Sequence, residues 1–534
     1  MRSRRWGLFF ALLLLCETLI PTHAQAATGY WKAATYTSDA WVINFWNTES
    51  DHMESELARI RADGFNSIIL VLPWREFQPE TIPVSYNSYA FRKLDRVMDA
   101  AAGQGLGVIV RLGYTWDFYE DESSAQRFRE LLRDAKVREA WHAYAKKIYE
   151  AVSAHGNFQG GFITWEDMWN YVEDTKDLGV GTTSRTEAKK IGFQDYLKEN
   201  YTLKKLNQIF EPETAFSGFD DIYIPSRNHA AYRLFFEFYD DWLNDILRST
   251  QRVFPGLSME VRLDWDVLPG AGENGEDLVC SHEGTFSCGD AEFTSTMYSV
   301  SMGQDAGRQL TAADAVRGMT EELAHVRDAN GDKPIFVDQL LYMDETEGYD
   351  SNARLQPSQR GAFLTAITGV LSAYTNGYGI WTYRNYGNNP VYNCQFALGK
   401  NGWDVDGGVV TEHNGSQMMK LAEGCSISQK IGHRIGDKTT HDNYVRFTAD
   451  SEEPVTLRVT MGRESREVTV EGSQSYELNL GKFSYYTIEF AADGDVWLDN
   501  IQVYNFVQDG QLYDMDGDPL SCIEAMRTLN ASMP

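Results

Sequence analysis

Two adjacent acids, Glu166 and Asp167, stand between Trp165 and Trp169 at the end of an apolar run, in GNFQGGFITWEDMWN (156 to 170). A second acid, Asp338, closes the apolar run of KPIFVDQ (333 to 339). Other runs of this kind end on Trp74, Arg75, Asp117, Arg262, Asp264, Asp266, Tyr298, Gln339, Trp381 and Arg384. Carboxylates and aromatics dominate this set, and histidine is missing from it. No His/Cys cluster with ligand spacing and no Gly-rich phosphate loop occurs elsewhere, so zinc hydrolysis, nucleotide binding and Ser-His-Asp chemistry are all disfavoured. Neither a metal nor a cofactor is expected. Two carboxylates across a pocket rich in Trp and Tyr are suited instead to cleaving a glycosidic bond. One protonates the leaving oxygen while the other attacks or activates water.

Such residues converge only if the elements between them bring the run ends to one place. AWVINFW (40 to 46) reads as a strand, MESELARIRADG as an amphipathic helix closed by Gly64, NSIILVLPW as a strand and FRKLDRVMDAAAGQG as a helix. The alternation continues through strands at 106 to 114, 156 to 165, 257 to 265, 293 to 300, 333 to 342 and 377 to 386. Eight strands, each nearly continuous in apolar residues as buried parallel strands are, predict an α/β fold, a (β/α)8 TIM barrel. It spans 27–431, with an insertion near 171–228. In such a barrel the strand C-termini form the active face. That rule places Trp74 and Trp381 against a sugar and has Tyr298, Arg262 and Asp117 supply orienting hydrogen bonds.

Composition changes near residue 432. Segments such as NYVRFTA, VTLRVTM and VWLDNIQVY carry period-2 patterning without helices, which predicts a smaller, jelly-roll-like all-β sandwich over 432–506 and a C-terminal tail over 507–534. Tyr444, Tyr476, Tyr485, Tyr486 and Trp497 would form either a sugar-binding platform there or its core. DMDGD (514 to 518) lacks the full calcium-loop pattern and reads as a solvated acidic turn.

Residues 1–26 read as a signal peptide, a basic start and an apolar run followed by Ala24-Gln25-Ala26, so the expected location is secreted or cell-surface. The formal charge of −29 disfavours nucleic acid as a partner and fits a neutral or cationic substrate. No stretch beyond the leader is long and apolar enough to span a membrane. Of the cysteines that follow the leader, Cys280/Cys288 and Cys394/Cys425 are the expected pairs, with Cys522 left over. Asn200, Asn414 and Asn530 lie in N-x-Ser/Thr sequons.

Several of these segments resemble one family. VLPWREFQPE (71 to 80) is similar to the W-x-x-x-Q-P turn of clan A retaining glycoside hydrolases, and GNFQGGFITWE to that clan's fourth strand. FQDYLKENYTLKKLNQIFEPETAFSGFDDIYIP (193 to 225) resembles the insertion after strand four in family 42 β-galactosidases. KPIFVDQ and GIWTY look like the clan's seventh and eighth strands. The resemblance covers roughly residues 30 to 400. It implies a carbohydrate substrate, Glu166 as general acid/base, Asp338 as nucleophile with Gln339 in the other register, and Trp381 as the floor of the sugar site. Arg75 and Asp167 join the substrate-binding set. The chain departs from the pattern at Trp165, where the clan carries Asn, and at Asp338, where it carries Glu. Those departures keep open a non-catalytic carbohydrate-binding or polysaccharide-export barrel. A lyase acting on uronic acid polymers is a weaker alternative.

Overall fold

The structure, a computed structural model, describes residues 29–49, 52–114, 124–176, 178–262, 268, 270–272, 274–277, 293–343, 351–431, 442–482, 486–507 and 510–534. The leader, Asp117, Asp264, Asp266, Cys280, Cys288 and Tyr485 lie outside the described residues.

Eight parallel strands close a barrel: β1 Trp31–Thr35, β2 Ser67–Leu72, β3 Gly107–Leu112, β4 Phe158–Ile163, β5 Ser258–Val261, β6 Thr294–Ser299, β7 Ile335–Leu341 and β8 Gly377–Ile380. Closure is made by β1, which pairs with β2 on one side and with β8 on the other. Seven strands fall where hydrophobic patterning puts them, and the first does not. It is WKAAT, while AWVINFW makes one bridge at Ala40 and then a 3-10 turn over Asn44–Asn47. A short apolar run can be a buried crossing segment as readily as a strand, and periodicity does not separate the two.

The strands are largely buried on both faces, the first residues of β1 and β4 being half-buried. Inside, Ala33, Ile69, Ile109, Phe162, Phe293 and Phe336 pack around Trp31, whose ring meets Phe293 and Phe336 edge-on at 5.3 Å. The barrel is tight enough that a Cβ on Gly379 would lie 2.4 Å from Ile69 Cδ1 and 3.0 Å from the Asp338 carbonyl. Outside, alternate residues such as Ile68, Leu70 and Leu72 meet the helices. The helices between strands include α1 Met53–Ala62, α2 Ser88–Gly103, α3 Ala135–Val152, α4 Glu166–Thr175, α5 Tyr232–Gln251, α6 Ala312–Ala329, α7 Arg360–Ala366 and α8 Thr368–Tyr374. Helix α2 shows why they form. The Asn87 side chain caps it by accepting from Tyr89 N and Ala90 N, and Ala90, Leu94, Val97, Met98 and Ala101 make one buried stripe.

After β8 come, among the described residues, eleven more strands: β9 Tyr386–Asn388, β10 Asp404–Asp406, β11 Val409–His413, β12 Ser416–Leu421, β13 Ser426–Ile431, β14 Asn443–Asp450, β15 Val455–Met461, β16 Glu464–Val470, β17 Gln474–Gly481, β18 Tyr486–Ala492 and β19 Val496–Val507. One antiparallel sheet runs β11-β12-β19-β14-β17 with β9 added on β19, and the other runs β10-β13-β18-β15-β16. The expected boundary at 432 therefore moves back to 386. The early strands are short and half-exposed, so they carry little of the alternation that marks the later ones.

The expected tail is not a tail. Residues 511–513 run beside 382–385, with Gln511 N donating to Thr382 O and Leu512 N to Tyr383 O. Helix α9 (Ile523–Ser532) then packs on the barrel wall. Asn530 donates to Asp63 O, Lys32 Nζ donates to Asn530 O, and Arg527 pairs with Asp63 at 2.9 Å. The sandwich is thus an insertion between β8 and the barrel's last helix. Asn530 is buried, so its sequon offers no surface for a glycan. Cys394 and Cys425 are both free thiols rather than the expected pair, and Cys522 is also free. The DMDGD turn closes on itself, Asp518 N donating to Asp514 Oδ1, and Arg59 donates to Gly517 O.

Candidate active site

The site is built from lone charged residues inside otherwise apolar strands. Arg111 lies two residues beyond Ile109 on β3 and so shares its inward face. Glu260 occupies β5 and Arg262 follows it, while Thr164 and Trp165 carry the chain from β4 into α4, which begins at Glu166. Glu260 is wholly buried. It accepts from Arg111 Nη2 at 2.9 Å, Arg262 Nε at 2.7 Å, Trp165 N at 3.3 Å and Thr164 Oγ1 at 3.4 Å. Burial pushes its carboxyl up, but the two guanidiniums outweigh that and hold it below the usual carboxylate range.

The same guanidiniums reach Glu166. Arg262 Nη2 donates to Glu166 Oε2 at 3.1 Å and Arg111 Nη2 does so at 3.4 Å. Glu166 is 27% exposed at the barrel mouth, against 10% for Arg262 and 1% for Arg111.

On β7 the pairing register shifts relative to both neighbours between Val337 and Leu340, the mark of a bulge. Asp338 and Gln339 consequently both face inward. With its amide oxygen turned to the arginines, Gln339 accepts from Arg111 Nη1 at 2.7 Å and from Arg262 Nη2 at 3.2 Å. Gln339 therefore shares both guanidiniums with Glu166. Asp338 is 1% exposed and accepts from Ser295 Oγ at 2.5 Å, its Oδ1 having no hydrogen-bond partner among the described residues. Burial and then the charge of Glu260 raise its carboxyl to about 8, so it is neutral at neutral pH. Two guanidiniums then face two carboxylates and one neutral acid.

Aromatic rings wall this cluster on one side. Trp381, Trp41 and Tyr114 pack together, with Trp41 5.9 Å from both of its partners and Tyr114 6.3 Å from Trp381. Tyr386 and Tyr392 extend the group. Arg111 lies 5.1 Å from the Tyr114 ring centre and Arg75 4.1 Å from that of Tyr392. The peptide between Trp381 and Thr382 is cis.

The structure thus brings Glu166, Arg262, Gln339, Arg75 and Trp381 to the mouth and places Asp338 beneath it. Two expected residues are elsewhere. Trp74 opens a short helix, Trp74–Phe77, that turns away from the mouth. Its Nε1 donates to Gln78 Oε1 at 2.7 Å, and its ring packs on Phe128 and Trp141 in the helix layer. Tyr298 keeps the regular alternation of β6, in which Phe293 faces inward, and so faces outward, its hydroxyl donating to Ala315 O at 2.7 Å and its ring stacked on Phe363. Arg384 pairs with buried Glu56. Asp167 lies on α4, and Asp117 is outside the described residues.

Sequence reasoning missed Arg111, Glu260, Trp41 and Tyr114. The signal for the first two was present, a lone arginine in LGVIVRLGY and a lone glutamate in the strand SMEV. A charge inside a buried strand has to be paired, so one of each sign on two inward faces points to an internal ion pair. In the sandwich, Tyr476 is stacked on Phe447 at 5.2 Å, and His413 covers Trp497 at 4.1 Å in a parallel stack. Neither ring is an open platform.

No family model matches the chain, and no curated protein sequence matches it. Solved structures do. A variant GH5_18 protein from Streptomyces cattleya in complex with Manb1-4GlcNAc is 16% identical over 67% of this chain and 72% of that one, with a TM-score of 0.43. A beta-galactosidase from the psychrophilic Marinomonas ef1 is 13% identical over 66% and 54%, with a TM-score of 0.45. An exo-beta-1,4-mannosidase from Opitutaceae bacterium strain TAV5 is 14% identical over 67% and 53%, with a TM-score of 0.40. Likeness at this level concerns the chain trace alone, and the barrel itself is established by its strand order.

Proposed function

We propose that the chain is a glycoside hydrolase with Glu166 as its proton-transferring group, acting outside the cell on a neutral oligo- or polysaccharide. The observation that supports this most is the position of Glu166. It is a partly exposed carboxylate at the end of β4, with both guanidinium contacts on Oε2, beside the aromatic wall of Trp41, Tyr114 and Trp381. A carboxylate in such a place can pass a proton to or from a glycosidic oxygen while the rings pack on the sugar's apolar face. The net charge of −29 favours an uncharged substrate and suits an extracellular protein.

Asp338 fits the nucleophile's role in a retaining mechanism poorly. It is neutral at neutral pH, and the inward residue beside Glu166 on β7 is Gln339, whose amide supplies no attacking oxygen anion. That specific observation favours the second reading, a barrel that binds carbohydrate without cleaving it. Assaying the wild-type chain and E166Q on a panel of aryl glycosides and plant and microbial polysaccharides separates the two. Turnover by the wild type that E166Q lacks, with equal melting temperatures, supports hydrolysis. Polysaccharide retardation of both proteins in affinity gels without turnover supports binding alone.

A further inference from the structure

We propose that Glu260 is the positioning residue of this site, fixing Glu166 through its backbone and through its ionic partners at once. The inference rests on the reading of Glu166 as the proton-transferring group and deepens it. The ionic route is direct. One buried carboxylate splits its oxygens between the two arginines, Oε1 on Arg262 Nε and Oε2 on Arg111 Nη2, and each arginine turns its Nη2 to Glu166 Oε2. The fork of Arg262 is used to the full, Nε inward and Nη2 outward, so the guanidinium plane is set by Glu260 before Glu166 meets it.

The backbone route is separate. Glu260 Oε2 accepts from Trp165 N, the peptide group immediately before Glu166 and the N-cap position of α4. It also accepts from Thr164 Oγ1, which in turn receives a hydrogen bond from Arg111 Nη2 at 2.7 Å. Unpaired N–H groups at a helix start need an acceptor, and this helix has no side-chain cap of its own. Glu260 stands in for one from the adjacent strand, β5. Because it is wholly buried, it acts on the reaction only through these neighbours.

The test is E260Q, which keeps the shape and removes the charge, compared with wild type on 4-nitrophenyl and 2,4-dinitrophenyl versions of the aryl glycoside that the wild type hydrolyses fastest. The expected result is a loss of about 10²-fold in kcat on the 4-nitrophenyl substrate, whose leaving group needs protonation, with KM changed by less than about threefold. The 2,4-dinitrophenyl substrate should be nearly unaffected. Equal losses on both substrates, or full activity on both, would overturn the inference. E260D, which keeps the charge at shorter reach, should recover part of the lost rate at the wild-type pH optimum, and it carries the test if E260Q does not fold. A readout independent of activity is hydrogen exchange at the Trp165 amide, which should be at least about tenfold faster in E260Q than in wild type. Unchanged exchange there counts against the backbone route. If the wild type hydrolyses no glycoside, the functional reading fails while this measurement still decides the positioning role.

Discussion

Asp338 shows how one residue's surroundings reverse the role its type suggests. A carboxyl held near 8 in the folded chain but titrating near 4 when unfolded keeps its proton in the native state across that interval. The native state therefore binds more protons than the unfolded one between about pH 4 and pH 8, and this contribution to stability falls as pH rises through that window. D338N removes it. Urea melts of the two proteins should nearly coincide at pH 4.5 and separate progressively up to about pH 8, with D338N the more stable. A constant difference would mean that Asp338 is ionised in the fold. Trp381 is argued on packing. W381F keeps an aromatic against Trp41 and Tyr114 but shortens the wall, so melting should shift by only a few degrees while kcat/KM falls about tenfold. Parallel losses of both would make Trp381 a core residue. The sequence made Glu166, Arg262 and Trp381 legible because strand ends are easy to find. It hid the facing of Trp74, which a short helix turns outward, and of Tyr298, which plain alternation from inward Phe293 puts on the outer face of β6, and neither leaves a mark in composition.

Element by element, the barrel was readable wherever a strand is one uninterrupted apolar run. SIILVL and GVIVRL are buried along their whole length and could belong to nothing else. WKAAT was missed because it is short, with a lysine inside it that reaches the α9 carbonyls. Helix α9 was missed because the chain enters the sandwich before supplying it, and nothing local says that the last helix belongs to the first domain. Its anchor is Asp63, a buried carboxylate at the end of α1 that accepts from Tyr383 Oη at 2.5 Å, Tyr513 Oη at 2.9 Å and Arg527 Nε at 2.9 Å. D63A leaves two buried hydroxyls and a guanidinium without their acceptor. It should cost about 2–4 kcal/mol. Chemical denaturation read by tryptophan fluorescence checks this, and a change below about 0.5 kcal/mol would show that α9 docks without help from the Asp63 carboxylate.

At the scale of the whole molecule, the two bodies have separate cores, yet the chain threads barrel, sandwich and barrel again. Where it leaves and where it returns are adjacent. Gly510 N donates to Asn385 Oδ1 at 2.7 Å, and Asn385 N donates to Tyr513 O at 2.9 Å. Joining 385 to 510 through a short glycine linker should therefore excise residues 386–509 and leave a barrel that still closes, since α9 and its Asp63 anchor are retained. That barrel loses Tyr386 and Tyr392, which flank Trp41 and Arg75 at the mouth, so it should melt cooperatively but turn over substrate at least about tenfold more slowly than the full chain. A chain stopped at 507 should behave in the opposite way. It keeps the sandwich and the mouth rings but strips the barrel wall of α9, exposing buried apolar surface and the hydroxyl of Tyr378, which bonds Asn530. No cooperative barrel transition is expected from it. The excised sandwich should fold as 386–507 and not as 432–506, because the shorter piece lacks β9 to β13, among them β12 and β13, which pair with β19 and β18. Circular dichroism melts of the four proteins decide the matter. A cooperative melt of 432–506, or of the barrel in the chain ending at 507, would show that the two bodies divide where composition changes rather than where the backbone returns.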